Sequence, residues 1–133
     1  ESVFVEELIN KKIEVLHKIY PNIKFIKNLK NLEIKNNTNA VERIIDNILT
    51  NACKYNKKKG QVIISIKNQT LIIKDTGIGI KNTKKVFQRY YKENETGLGI
   101  GLSIVKQLCD TLDIKISIES KEAEGTQVKL VFP

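Results

Sequence analysis

Residues 38–55 place the tightest limit on what this chain can fold into. Projected at about 100° per residue, Val41, Ile44, Ile45, Ile48, Leu49 and Ala52 fill one broad arc of a helix. An apolar arc of that width has to be covered by a second layer. Glu42, Arg43, Asp46, Thr50 and Cys53 occupy the opposite arc and read as facing solvent. Between the two lies a third stripe, Asn47, Asn51, Lys54 and Tyr55, spaced i, i+4, i+7 and i+8. An amphipathic boundary and the rim of a polar cleft would both give such a stripe. Asparagine is a poor helix former, roughly 0.6 kcal/mol worse than alanine, so two on one stripe need a reason. Amide oxygens suit Mg²⁺, a lysine one turn on can reach a phosphate, and a tyrosine can pack against a base.

The remaining segments supply the covering layer. A first helix is predicted over residues 4–20, with Val5, Ile9, Lys12, Leu16 and Tyr20 on one stripe and Leu8 and Ile13 beside it, ended by Pro21. Short strands follow near 23–29 and 32–35, and Thr38 or Asn39 can cap the second helix. Residues 61–67 and 71–75 read as a hairpin around Asn68-Gln69. A short helix is expected through Val86 to Tyr90. A longer one opens at the glycines near 97–101, with Ile104, Val105, Leu108 and Leu112 as its apolar stripe. Alternation at Ile114, Ile116 and Ile118, then at Val128, Leu130 and Phe132, gives two closing strands. The predicted class is α/β, a two-layer sandwich of a mixed, mainly antiparallel sheet and about three helices, in one domain over residues 1–133.

Composition excludes some classes and leaves others open. With 133 residues, 41% of them hydrophobic and 29% charged, the chain can build one core. No run approaches the roughly 18 apolar residues of a membrane span, and residues 1–7 lack the form of a signal peptide. Any membrane contact of the parent is therefore expected through segments absent from this chain. A net charge of +8 fits a nucleic-acid surface, a membrane surface or a pocket for a phosphorylated ligand. The lysines are scattered, however, and Lys57-Lys58-Lys59 reads as a solvated loop before Gly60. Cys53 and Cys109 have neither metal-ligand spacing nor a CxxC partner, so both read as reduced thiols.

Two glycine segments stand where strands hand over to helices. Asp75-Thr76-Gly77-Ile78-Gly79 follows the apolar Leu71-Ile72-Ile73. A carboxylate ending a buried strand needs hydrogen-bond donors, and the exocyclic amino group of adenine is one. The glycines there let backbone approach a flat ring. Gly97-Leu98-Gly99-Ile100-Gly101-Leu102 runs into a helix, whose N-terminal N–H groups favour phosphate. A plain Asp-Gly turn and a flexible loop would give the same two segments. Neither has the spacing of a Walker A loop or of GxGxxG.

In combination and in order, these segments resemble the ATPase domain shared by histidine kinases, gyrase-type topoisomerases, MutL-type repair proteins and certain chaperones, the GHKL superfamily with its Bergerat fold. Asn47-Ile48-Leu49-Thr50-Asn51-Ala52-Cys53-Lys54-Tyr55 is similar to its N box, and Asp75-Thr76-Gly77-Ile78-Gly79-Ile80 to its first glycine box. Val86-Phe87-Gln88-Arg89-Tyr90-Tyr91-Lys92 is similar to the F box typical of histidine kinases. Residues 96–105 resemble the second glycine box, and Gly125-Thr126 the closing one.

The resemblance implies roles. Asn51 would hold Mg²⁺ with Asn47 assisting, Lys54 would meet the phosphates of ATP, and Tyr55 would flank the adenine. Asp75 would read the adenine amino group on a floor shaped by Gly77, Gly79 and Ile80 and supported by Thr126. Gly97, Leu98, Gly99, Ile100, Gly101 and Leu102 would cradle phosphates, and Phe87 would anchor the lid. The F box usually ends in arginine; here Lys92 or Arg89 would contact the γ-phosphate. Glu93, Asn94 and Glu95 alone separate Lys92 from Thr96, which makes the lid short.

Hydrolytic members carry glutamate where Asn47 stands, and an amide cannot accept a proton from water. Asp46 is no substitute, since it points roughly 140° around the helix from Asn51. The resemblance thus implies phosphoryl transfer from Mg²⁺-ATP to a histidine on a separate helical module of the same, dimeric sensor kinase, for relay to a response regulator. It also implies a cytoplasmic domain whose parent is anchored in the bacterial inner membrane. His17 lacks an acceptor setting and reads as a surface residue. An anti-sigma-type serine kinase, another ATPase of the superfamily and, more remotely, a basic nucleic-acid-binding domain are the alternatives.

Overall fold

The computed structural model describes residues 1–80, 87 and 101–133. Within them, five strands form one sheet in the order β2-β4-β5-β7-β6. These are β2 (Lys24–Asn28), β4 (Gln61–Lys67), β5 (Thr70–Asp75), β6 (Lys115–Lys121) and β7 (Gly125–Val131). Only β2 and β4 run parallel; the other neighbours are antiparallel. The helices are α1 (Val5–Ile19), α2 (Thr38–Lys54) and α3 (Gly101–Leu112). α2 packs on β5 and against both other helices, α1 on one flank and α3 on the other, while α3 also meets β6. The mixed, mainly antiparallel two-layer α/β class read from the sequence is the class observed.

Alternation in the strands decides which face is covered. Val62, Ile64 and Ile66 of β4, Leu71 and Ile73 of β5, and Val128 and Leu130 of β7 are buried, while their sequence neighbours are half-buried or exposed. Onto that face α2 lays Val41, Ile44, Ile45, Ile48, Leu49 and Ala52, all 4% exposed or less. Each of these valine, leucine and isoleucine side chains contributes about 1.5–3 kcal/mol on burial, so this seam is the main apolar contact of the fold.

Four local expectations are corrected. Residues 2–4 are a strand, β1 (Ser2–Phe4), paired antiparallel with β3 (Glu33–Lys35). The first helix therefore starts at Val5, not Phe4, and it ends at Ile19, with Tyr20 as its C-cap donating to the Leu16 carbonyl at 2.7 Å. Three residues carry too little alternation to announce a strand, and the pairing with β3 supplies what periodicity could not. Asn37, not Thr38 or Asn39, caps α2: its side-chain oxygen accepts from Ala40 N at 2.9 Å. Cys53, assigned to a solvent arc, is 3% exposed, because α1 covers that flank and brings Lys12 to 4.0 Å from Asp46. On α3 the buried positions are Ser103, Val105 and Cys109; Ile104, Leu108 and Leu112 are only half-buried. The expected helix through Val86 to Tyr90 lies outside the described residues except for Phe87, a half-buried turn residue.

α3 ends in an unusual way for its sequence. Ile114 N donates to the Cys109 carbonyl at 2.8 Å, and the residue between helix and strand, Asp113, takes φ +60°. This is the left-handed helix stop usually filled by glycine, here occupied by an exposed aspartate with a Cβ to accommodate. Asp113→Gly should therefore raise the unfolding free energy by about 0.5–1 kcal/mol, and Asp113→Val should lower it by about 1–2 kcal/mol. Paired denaturant melts with unchanged slopes would measure both.

Candidate functional site

The polar stripe of α2 opens onto the start of α3. Asn47 and Asn51 are half-buried, on the edge of the apolar arc away from the α1 flank and toward α3. The Asn47 amide nitrogen donates to the Arg43 carbonyl one turn earlier at 2.9 Å, which turns its oxygen outward. A methyl group on Gly101 would stand 3.1 Å from that oxygen. The first residue of α3 thus faces the first amide of the stripe. Among the described residues no hydrogen bond engages the Asn51 side chain. Lys54 is exposed, with its Nζ 5.4 Å from the centre of the Tyr55 ring. Asp46 is on the other flank, and its carboxyl is raised above the ordinary value by burial, with Lys12 opposing.

Asp75 closes β5 on the helix-facing side. Its Oδ1 accepts from Gly77 N at 2.8 Å and from Thr126 N at 3.2 Å. Burial pushes its pKa up, and those two backbone donors pull it back. The charge expected to need a ligand donor is already partly satisfied by the chain itself. Among the described residues nothing donates to Oδ2, which is left to accept from outside.

The glycines around Asp75 serve the protein's own packing. A methyl group on Gly77 would collide with the Tyr55 carbonyl at the end of α2. Gly125, at φ +121°, lies so close to the Asp75 carbonyl that no side chain could fit. Such closeness is expected against a flat ring; at Gly77 it instead joins α2 to β5, and at Gly125 it joins β5 to β7. The Ile78 N–H completes the first junction by donating to the Tyr55 carbonyl at 3.1 Å. Gly79 and Ile80 continue toward the β6–β7 turn, where Ala123 N donates to the Ile78 carbonyl at 2.7 Å.

Two polar clamps escaped the sequence argument. Asn56 donates to the Gln61 carbonyl at 2.9 Å and accepts from the Thr76 hydroxyl at 3.0 Å, while that hydroxyl accepts from Gln61 N at 2.9 Å. Ser120 accepts from Ile80 N at 2.7 Å and lies 2.8 Å from the Thr126 hydroxyl. A signal for Ser120 did exist. It continues the inward register of Ile116 and Ile118 with a polar side chain, which asks for a partner. Asn56 follows the helix directly and carried no such mark.

The structure therefore brings together Asn47, Asn51, Lys54, Tyr55, Asp75, Gly77, Gly79, Ile80, Gly101, Leu102 and Thr126 along one side of α2 and the strand ends beside it. Arg89, Lys92, Gly97, Leu98, Gly99 and Ile100 lie outside the described residues. His17 is exposed on the last turn of α1. Both cysteines are free and buried, each with its thiol pushed up to about 11 by burial, helped at Cys53 by the charge of Asp75 and at Cys109 by that of Asp110. Among the described residues no group of His, Cys, Asp and Glu could hold a metal ion, and no helix is long and apolar enough to cross a membrane.

Known proteins share this fold. Residues 36–133 match the family described as "Histidine kinase-, DNA gyrase B-, and HSP90-like ATPase". The sensor histidine kinase WalK of Bacillus subtilis is 32% identical over 84% of this chain and 21% of its own length. The signal transduction histidine-protein kinase ArlS of Staphylococcus aureus is 32% identical over 99% of this chain and 32% of its own. The chain thus spans a fifth to a third of these relatives. The solved structure of the mycobacterial sensor histidine kinase MprB superposes with a TM-score of 0.90 at 26% identity, covering all of this chain and 96% of that one. ATP is accordingly the ligand of its family, and the chain belongs to the histidine kinase-, DNA gyrase B- and HSP90-like ATPases as a catalytic, ATP-binding domain of the sensor histidine kinase type.

Proposed function

We propose that this chain binds Mg²⁺-ATP and donates its γ-phosphate to a histidine on a separate helical module of the same sensor kinase, for relay to a response regulator. The observation that carries this reading is the amide stripe of α2. Asn47 turns a carbonyl oxygen toward the start of α3, Asn51 lies one turn on, and no carboxylate shares the stripe. Amide oxygens can complete a Mg²⁺ shell but cannot take a proton from water. Such a site positions phosphates and neutralises their charge, which is what phosphoryl transfer asks of a protein. With Asp46 turned to Lys12, hydrolysis has no base on this stripe.

Around that metal, Lys54 reaches the phosphates and Tyr55 flanks the base, while Asp75 Oδ2 accepts from the adenine amino group. Lys92 or Arg89 meets the γ-phosphate, Gly97, Gly99 and Gly101 cradle the phosphates, and Phe87 anchors the lid. The relatives' names, all of sensor or signal-transduction histidine kinases, favour a histidine acceptor over the serine of an anti-sigma-type kinase. The acceptor module, its dimerisation and the anchoring of the parent in the inner membrane belong to segments beyond this chain, with this domain on the cytoplasmic side. An exposed His17 at the end of α1, away from the amide stripe, is not the acceptor.

Three measurements test the reading. Asn51→Ala should weaken ATP and ADP binding far more with Mg²⁺ than without it in calorimetry; an equal loss in both conditions would assign Asn51 to folding. Asp75→Ala should cost about 2–3 kcal/mol of ATP binding, or roughly 30–100-fold, and GTP should compete poorly against the unmutated chain. Incubated with labelled ATP, these residues alone should gain no phosphate and turn over little nucleotide. Adding the helical acceptor module should yield an acid-labile, base-stable phosphohistidine that His17→Ala leaves intact. A phosphate acquired by the isolated chain and removed by His17→Ala would overturn the division of labour.

A further inference from the structure

We propose that Ser120 is a specificity-determining residue: it fixes the hydrogen-bonding polarity of the edge formed by Asp75 and Thr126, so that the site favours a purine with an exocyclic amino group over one with a carbonyl in the same place. This inference rests on the nucleotide reading above and assigns a cause to its choice of base.

The placement of protons fixes this polarity. A serine hydroxyl has one proton to donate and two lone pairs to accept with. Ser120 Oγ lies 3.0 Å from the Gly125 carbonyl oxygen, 2.7 Å from Ile80 N and 2.8 Å from Thr126 Oγ1. A carbonyl oxygen brings no proton, so the hydrogen on the Ser120–Gly125 contact is the serine's own. Ile80 N can only donate, and it takes one lone pair. The contact with Thr126 then has a single consistent assignment, with the threonine donating to the second lone pair. Thr126 Oγ1 is left with lone pairs alone.

Thr126 is the residue whose backbone N–H holds Asp75 Oδ1 at 3.2 Å, and it follows the Lys74–Gln127 pair in register, opposite Asp75, so the two side chains belong to one edge. Both are acceptors. An amino group satisfies such an edge, whereas a carbonyl there would leave acceptors facing one another, a desolvated mismatch. Without Ser120, the Thr126 hydroxyl is free to rotate and donate, so a carbonyl gains one donor beside the Asp75 carboxylate and the discrimination narrows without vanishing. Ser120 touches no substrate in this account; it acts through Thr126.

The experiment compares ATP with inosine triphosphate, which carries a carbonyl in place of the 6-amino group, by competition calorimetry on the full 133-residue chain. The unmutated chain should prefer ATP, and Ser120→Ala should narrow the preference about tenfold, while Ser120→Thr, which keeps the hydroxyl, should retain it. In a Thr126→Val background, Ser120→Ala should leave the preference unchanged. Equal loss of both nucleotides in Ser120→Ala, or a preference that survives it, would reduce Ser120 to packing and overturn the proposal while leaving the ATP reading intact. Failure of the unmutated chain to bind ATP would instead overturn that reading, and this one with it. Should Ser120→Ala not fold, Thr126→Val alone decides. It must weaken ATP several-fold more than inosine triphosphate, and an equal effect on both refutes the proposal.

Discussion

Covering the apolar arc of α2 is the constraint from which the rest follows. The sheet takes one side of that helix while α1 and α3 take its flanks, so polar side chains can meet solvent or a ligand only on what remains, the amide stripe included. The asparagines stand there at a small loss of helix propensity. The stripe is rigid because its helix is fixed on two sides, and the site inherits that rigidity. The far end of α2 is fastened in turn to β5 by the Tyr55 carbonyl, which leaves no room for a side chain at Gly77.

A buried carboxylate ordinarily costs several kcal/mol unless donors surround it. At Asp75 the donors come from two different strand connections, Gly77 N after β5 and Thr126 N at the start of β7. One oxygen thereby joins three segments, and the other is presented to the cleft. The same atoms that would read a base also hold the strand ends in register. Binding and folding are coupled at this residue through its hydrogen bonds, so affinity changes there have to be separated from stability changes.

Much of this was legible in the sequence. The arc and stripe of α2, the hairpin around Asn68 and the fold class follow from periodicity, which tertiary packing obeys wherever a face is wholly apolar. Cys53 looks solvent-facing until a second helix lies across it, and no pattern within α2 announces α1. β1 is too short to show alternation, and Asn37 outcompeted two equally good neighbours for the cap. The glycines were correctly marked as places of close approach, but the approaching group is the chain's own carbonyl at Tyr55 and Asp75. Ser120 was visible as a polar residue in an apolar register and went unread.

The position of β7 has a consequence for the order of assembly. In the sheet it lies between β5 and β6, although it follows both in the chain. Until residues 125–131 are in place, β5 has an open edge on one side and β6 has no strand neighbour among the described residues. Such non-local closure is slow relative to helix formation and leaves an adhesive strand exposed meanwhile. Thr126 arrives with that same strand. The chain can therefore form α2 and its amides early, but the Asp75 edge is completed only when β7 docks, so ligand recognition and closure of the sheet become a single event.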